Sequence, residues 1–201
     1  MRNFPNSRLV LDGSGNIYST TPWGGIITGV CVTQGLRGCG VLFKLDTTGK
    51  DTILHSFTDG ADGATPNGNL IADANGNLYG CTQAGGSFGK GTIYEFDTTG
   101  KFTVLYNFES VSACEGLVRD VNGNFFGTAY DGNPDGAAFE VDASGNFTEL
   151  YGFTGGSDGG EPLSQPILEA QGNLYGTTYF GGIFCSDGLG DACGVVYKIT
   201  P

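Results

Sequence analysis

Residues 69–108 read NLIADANGNLYGCTQAGGSFGKGTIYEFDTTGKFTVLYNF, and four strands can be laid along them. Residues 69–73 are a short apolar stretch, 74–76 an Ala-Asn-Gly turn, and 77–82 a second strand. A Gly-rich loop covers 84–90. Residues 91–97 alternate apolar and polar, as a half-buried strand does; 98–100 form another turn and 101–108 a fourth strand. The turns are short Asp/Asn/Gly clusters, the chemistry of tight hairpins. No stretch of the chain carries a 3.6-residue apolar period with caps, so almost no helix is expected.

The same unit recurs. Gly-Asn-apolar-aromatic occurs at Gly15-Asn16-Ile17-Tyr18, Gly76-Asn77-Leu78-Tyr79, Gly123-Asn124-Phe125-Phe126 and Gly172-Asn173-Leu174-Tyr175. The intervals are 61, 47 and 49 residues, the first lengthened by the segment that holds Cys31 and Cys39. Repeats of this length imply a ring or a solenoid. Four strands per repeat, joined as a meander, is the pattern of a propeller blade. The first unit offers strands at 9–12, 16–21, 40–46 and 51–57, and the third at 116–120, 124–130, 137–142 and 146–153. The fourth offers 167–170, 173–179 and 194–200, without an outer strand. Outer strands end in aromatic-x-Phe (His55-Ser56-Phe57, Tyr106-Asn107-Phe108, Tyr151-Gly152-Phe153), and Arg2-Asn3-Phe4 precedes the first inner strand. The expected fold is therefore all-β: a four-bladed propeller in one domain, 1–201, with blades at about 7–58, 66–108, 114–153 and 162–200 plus 1–5. The N-terminal segment closes the last blade and covers its open edge, or completes a neighbour and gives a strand-exchanged oligomer or fibre instead of a monomer.

Composition removes several classes. There are 37 glycines in 201 residues without a three-residue period, which excludes collagen. No apolar run is long enough to span a membrane. Twenty-one acidic against nine basic residues give a net charge of -12. Scattered cations and an acidic surface argue against nucleic acid, whose phosphates require a basic patch, and against an anionic membrane surface.

The six cysteines admit ~15 pairings. Cys31 and Cys39 are eight residues apart, as are Cys185 and Cys193, and both second members precede Gly-Val. They are read as local disulfides, Cys31–Cys39 and Cys185–Cys193. Cys81 ends a second strand and Cys114 begins the next inner strand, so a Cys81–Cys114 bridge is expected to staple blade two to blade three. Zinc is the rival reading, but its short Cys hooks are absent and His55 is the one histidine. Disulfides imply an oxidising compartment, extracellular or cell-surface. Residues 1–5 do not read as a signal peptide, so a leader was removed or the chain is a piece of a longer one.

The run Asn173-Leu-Tyr-Gly-Thr-Thr, its Gly-Gly pair and Gly194-Val-Val-Tyr-Lys198 resemble the GloVer (Gloeobacter–Verrucomicrobia) tandem repeat. So do Leu105-Tyr106-Asn107-Phe108 and Ser56-Phe57 with Asp62-Gly63 and Pro66. The resemblance covers nearly the whole chain. It implies a bacterial, exported, all-β repeat protein, propeller-like and secreted or surface-anchored, and brings no catalytic residues with it. Unit three departs most, Asp131-Gly132-Asn133-Pro134-Asp135 replacing the Gly-Gly loop.

In an antiparallel meander the second-to-third-strand loops share an end with the connections between blades, and function concentrates in such long loops. Trp23 and Phe180 stand just ahead of Gly-Gly pairs where unit two has Ala84. With Tyr179 and Phe184 they are candidates for stacking on sugar rings; the competing expectation is packing over the blade tops. Asp62 and Asp158 occupy equivalent connections and are candidate Ca2+ ligands, oxygen donors being what this hard cation takes. Glu115 and Glu161, near inner-strand entries, are candidate acid and base for glycoside chemistry; a carboxylate with Tyr130 or Tyr179 is a variant of the same idea. The Asp-x-x-Gly-Asn runs lack the length and the bidentate Glu of an EF-hand and are read as hairpin turns. His55 is read as an outer-strand surface residue, which argues against a Ser-His-Asp triad, and the sequon at Asn146 as chance. The leading expectation is a secreted module binding a glycan or an extracellular protein. The alternatives are a polysaccharide hydrolase or lyase, and an assembly subunit of a fibre or surface layer.

Overall fold

The computed structural model describes residues 8–27, 31, 38–111, 114–130, 135–182 and 193–200. These form fifteen strands in four antiparallel sheets, each a meander. Sheet 1 comprises β1 (Val10–Leu11), β2 (Ile17–Thr21), β3 (Val41–Leu45) and β4 (Asp51–Ser56). Sheet 2 comprises β5 (Ile71–Ala72), β6 (Leu78–Cys81), β7 (Thr92–Phe96) and β8 (Phe102–Asn107). Sheet 3 comprises β9 (Cys114–Arg119), β10 (Phe125–Ala129), β11 (Ala137–Val141) and β12 (Phe147–Gly152). Sheet 4 comprises β13 (Ile167–Leu168), β14 (Leu174–Thr177) and β15 (Val196–Ile199). Among the described residues Cys31 alone has helical backbone. The N-terminal strand expected at 1–5 lies outside the described residues.

The chain forms two compact units, Met1–Glu109 with sheets 1 and 2 and Ser110–Pro201 with sheets 3 and 4. Each unit is built the same way, and the sequence explains why. The inner hairpins turn on an aspartate whose side chain replaces a backbone partner. Asp12 Oδ1 accepts the amides of Ser14 and Asn16, each at 2.9 Å, while Tyr18 Oη and Asn16 Nδ2 donate to its other oxygen. Asp73 repeats this with Asn75, Asn77 and Tyr79. Asp120 does so with Asn122 and Asn124 but, facing Phe126, receives no phenol. Glu169 takes the place in sheet 4, bonded by Asn173 and Tyr175. The outer hairpins use Asp46, Asp97 and Asp142 in the same manner. The Asp-x-x-Gly-Asn runs are thus turns.

The third and fourth strands of sheets 1, 2 and 3 share one irregularity. Their register shifts between Leu42 and Phe43, between Ile93 and Tyr94, and between Ala138 and Phe139. A bulge at that point re-aims the next side chain. The ring of Tyr94 lies over Gly80, that of Phe139 over Gly127, and that of Tyr197 over Gly176, where a methyl group would collide with it. Glycine at the third place of β6, β10 and β14 is therefore a packing requirement.

Unit 1 gathers Leu42, Phe57, Leu70, Leu78 and Tyr94 around its core, with the disulfide-bonded Cys31 and Cys39. Unit 2 gathers Phe126, Ala138, Phe153, Leu174, Tyr197 and Ile199. Phe57, Phe108 and Phe153 close their outer strands fully buried, each worth about 1.5–3 kcal/mol in removal from water. Their amides donate to the carbonyls of Gly40, Gly91 and Gly136 at 3.1, 3.0 and 2.8 Å. His55 is not the surface residue expected: its ring stacks on Phe102 at 3.9 Å and its Nε2 lies 2.9 Å from Asp62 Oδ2.

Candidate functional site

Within each unit, the connection leaving the first sheet lies across the long loop of the second. In unit 1, Ala64 and Ala84 exchange backbone bonds of 2.7 and 3.1 Å, and Gly86 donates to Gly60 at 2.7 Å. In unit 2, Gly160 and Phe180 pair at 2.9 and 3.3 Å, and Gly182 donates to Gly156 at 2.8 Å. The long-loop end is therefore a rigid platform of hydrogen-bonded backbone.

In unit 2 this platform joins Asp135, Glu161, Tyr179 and Phe180, and Tyr130 directly follows β10. Tyr130 follows β10 and Tyr179 follows β14, at the same register of adjacent sheets. Both are exposed, Tyr130 by 44% and Tyr179 by 69%. The Glu161 amide donates to the Asp135 carbonyl at 2.7 Å, and the Tyr179 amide donates to the Glu161 carbonyl at 2.9 Å. Glu161 sits at φ 49 directly before Pro162. Thr65 sits at φ 54 before Pro66 in unit 1, so this conformation belongs to the architecture.

The other sequence candidates divide. Phe180 is half-buried, and its ring closes over Gly155 and Gly160 beside the Asp135 side chain. Trp23 is half-buried, its carbonyl accepting the Thr21 hydroxyl at 2.6 Å. Ala84 and Phe180 are held in the same way by Thr82 and Thr178. Glu115 lies half-buried within β9 and Glu161 in the link to sheet 4. Phe184 and Cys185 lie outside the described residues.

Asp62 and Asp158 hold their own loops. Thr58 donates its amide and hydroxyl to Asp62, and Thr154 does the same to Asp158. His55 adds a bond to Asp62, and Tyr151 Oη adds one to Asp158 at 3.1 Å. Burial pushes the Asp62 carboxyl up, and the bonds from His55 and Thr58 outweigh it, leaving it below the ordinary value. The Thr154 hydroxyl is the main cause of a lowered Asp158. Neighbouring Asp59 is raised by burial and by the Asp62 charge. A Ca2+ at either site would have to displace these donors. Among the described residues no group of three or more His, Cys, Asp or Glu converges as a ligand set.

Cys31 and Cys39 are bonded to each other, with Cα atoms 5.1 Å apart. Cys81, Cys114 and Cys193 are also disulfide-bonded. Sequence reasoning named Tyr130 only as an accessory and Asp135 only as the end of the run that replaces the Gly-Gly loop. The signal that joins Tyr130 to Tyr179 is alignment of the repeats at the end of the second strand.

The fold has wide structural likeness. A virginiamycin B lyase from Staphylococcus aureus superposes with a TM-score of 0.57 at 16% identity, over 88% of this chain and 49% of the lyase. A luciferin-regenerating enzyme gives 0.54 at 20%, over 96% of this chain and 60% of its own. The extracellular domain of a one-component system from B. thetaiotaomicron gives 0.56 at 13%, over 89% and 21%. The chain spans about half the length of the lyase and less than two thirds of the other two. At these identities the likeness establishes the fold alone, which is β-propeller-like. Among curated proteins none matches the chain. The Gloeobacter/Verrucomicrobia repeat matches across residues 3–132, more than half of the sequence, and the chain belongs to that family.

Proposed function

We propose that the protein is an extracellular binding module, a propeller of four blades that takes a glycan on the long-loop end of unit 2. The observation that carries this reading is the pair Tyr130 and Tyr179, exposed at one register of adjacent sheets on a hydrogen-bonded platform. Each ring offers an apolar face to the C–H side of a sugar and a hydroxyl to its edge. The carboxylates of Asp135 and Glu161 accept bonds from sugar hydroxyls, and charged acceptors make the stronger ones. Phe180 acts beneath them by fixing the loop. Four disulfide-bonded cysteines besides Cys31 belong to an oxidising compartment. The extracellular domain among the structural neighbours fits the same location.

A polysaccharide array and pull-down, run in Ca2+ and in chelator, tests the reading on wild type and on Tyr179→Ala. Selective glycan binding is expected, weakened at least about tenfold by the substitution, a change worth ~1.4 kcal/mol, with the melting temperature unchanged. A wild-type protein that binds no glycan, or a variant that binds equally well, overturns it.

A further inference from the structure

We propose that unit 1 holds a ligand site of its own, at its hairpin-turn end, for a small apolar zwitterion of about dipeptide size. Sheets 1 and 2 leave a groove of about 450 Å³ there, within the ~300–1,000 Å³ that small-molecule sites occupy. Its walls are apolar: Tyr18 from β2 and Leu54 from β4 on one side, Leu78 from β6 and Phe96 from β7 on the other. Leu78 is buried and the other three are half-buried against the unit 1 core, so the walls are fixed. Two charged groups complete the lining, Lys44 from β3 on the sheet 1 wall and Asp97 directly after β7 on the sheet 2 wall.

These charges are of opposite sign, and neither is paired with the other. Lys44 Nζ stands over the Tyr18 ring, 5.7 Å from its centre, and forms no ion pair among the described residues. An ammonium has three donors, so it can hold a carboxylate. The Thr99 amide and hydroxyl and the Lys101 amide all bond to Asp97 Oδ1, at 2.9, 2.6 and 2.9 Å. Asp97 Oδ2 accepts no bond among the described residues and is open to an ammonium. A ligand of one charge meets the wrong sign on one wall. A carboxylate and an ammonium on one apolar body match both, and charge-assisted bonds are the strong ones. Facing sheets stand roughly 10 Å apart, a span for the two termini of a dipeptide with a hydrogen bond at each end, and too wide for the adjacent charges of a single amino acid. The fold itself does not demand these groups. Lys44 lies opposite Tyr18, and the same place in sheet 3, opposite Phe126, is held by Glu140. Phe96 pairs with Leu78 as Ile199 pairs with Leu174, which puts Thr200 at the place of Asp97.

The test is an NMR titration of the full chain with the dipeptide Leu-Phe, its N-acetyl form and its C-terminal amide, repeated on the Lys44→Glu variant. The free dipeptide should bind saturably and move the amide resonances of Lys44, Leu54, Leu78 and Phe96. Blocking either terminus should weaken binding by about tenfold or more, a loss of ~1.4 kcal/mol. Lys44→Glu, which imports the residue of sheet 3, should weaken the free dipeptide as much and leave the melting temperature unchanged. The blocked dipeptides probe the wild-type protein, so their result stands whatever the variant does to folding. Failure to saturate, or shifts centred on other residues, overturns the proposal. A blocked dipeptide that binds as well as the free one, or a folded Lys44→Glu variant with wild-type affinity, overturns it as well.

Discussion

His55 Nε2 and Asp62 Oδ2 lie 2.9 Å apart, and in the second unit Tyr151 Oη and Asp158 Oδ2 form the same link at 3.1 Å. An imidazole and a phenol thus do one job: each donates from the outer strand to the carboxylate that organises the following connection. Hydrogen bonds to a charged acceptor contribute about 1.5–3 kcal/mol, and removing that acceptor strands its donors. Asp62→Ala should therefore lower stability by about 2 kcal/mol, read as a lower urea midpoint at unchanged slope. His55→Tyr should retain most of the stability because Tyr151 shows that a phenol fits. A His55→Tyr variant as unstable as Asp62→Ala would refute the equivalence.

Acid should unfold the protein through its turns. The Asn16 amide and side chain bring Asp12 down to about 2. Thr48 and Thr99 lower Asp46 and Asp97, and Asn146 lowers Asp142. In Asp73 burial acts upward, but the bonds from Asn77 and Tyr79 win. A carboxyl whose folded value is depressed contributes stability above its unfolded value of 3.8 and loses it as pH falls through the folded value. The melting temperature should hold as pH falls toward about 4 and then drop steeply between about 4 and 2. Because the groups sit on separate turns, replacing one, as in Asp12→Asn, should soften the drop and leave its onset unchanged.

The third-place glycines give a steric prediction. A methyl at Gly127 meets the ring of Phe139 and the Gly116 carbonyl, both inside sheet 3. Overpacking a tight site costs about 1–3 kcal/mol, so Gly127→Ala should destabilise by that amount in denaturant titration. Gly145→Ala is a different case. Nothing lies within 4 Å of a methyl there, but its φ of +86 disfavours alanine. Its loss should therefore come from backbone strain alone, about 1 kcal/mol.

How much of this was legible in the sequence follows from the range of the interactions. Asp12, Asp73 and Asp120 act over four residues, so their turns could be read from spacing alone. The aromatic-x-Phe endings were equally local and marked the outer strands. Phe180 could not be placed that way. Its ring rests on Gly155 and Gly160, far back along the chain, and whether an aromatic at a loop tip faces solvent or its own platform depends on that packing. Val196 shows the converse: correspondence of the repeats placed a strand at 194–200, but its 81% exposure follows from which neighbours the sheet has. Tyr130 and Tyr179 were visible singly, and only the shared register makes them a pair.

The disulfides supply the last prediction. Cys31 and Cys39 pair across eight residues, and Cys185 and Cys193 repeat that spacing ahead of the same Gly-Val. Cys81, Cys114 and Cys193 are all in disulfides, so assigning Cys193 to Cys185 leaves Cys81 for Cys114. Digestion without reduction should release three cross-linked peptide pairs with these connectivities. Closing a loop of this size restricts the unfolded chain by about 2–3 kcal/mol, so the double variant Cys31→Ser, Cys39→Ser should lose that much. Cys39 is wholly buried in the unit 1 core beside Leu42 and Phe57, and a buried serine hydroxyl adds a desolvation cost of about 1–3 kcal/mol. Cys31→Ala, Cys39→Ala separates the two contributions, and it should be the more stable of the pair. A Cys81 peptide found linked to Cys185 or Cys193 would refute the assignment, and an alanine variant no better than serine would place the whole effect in the lost cross-link.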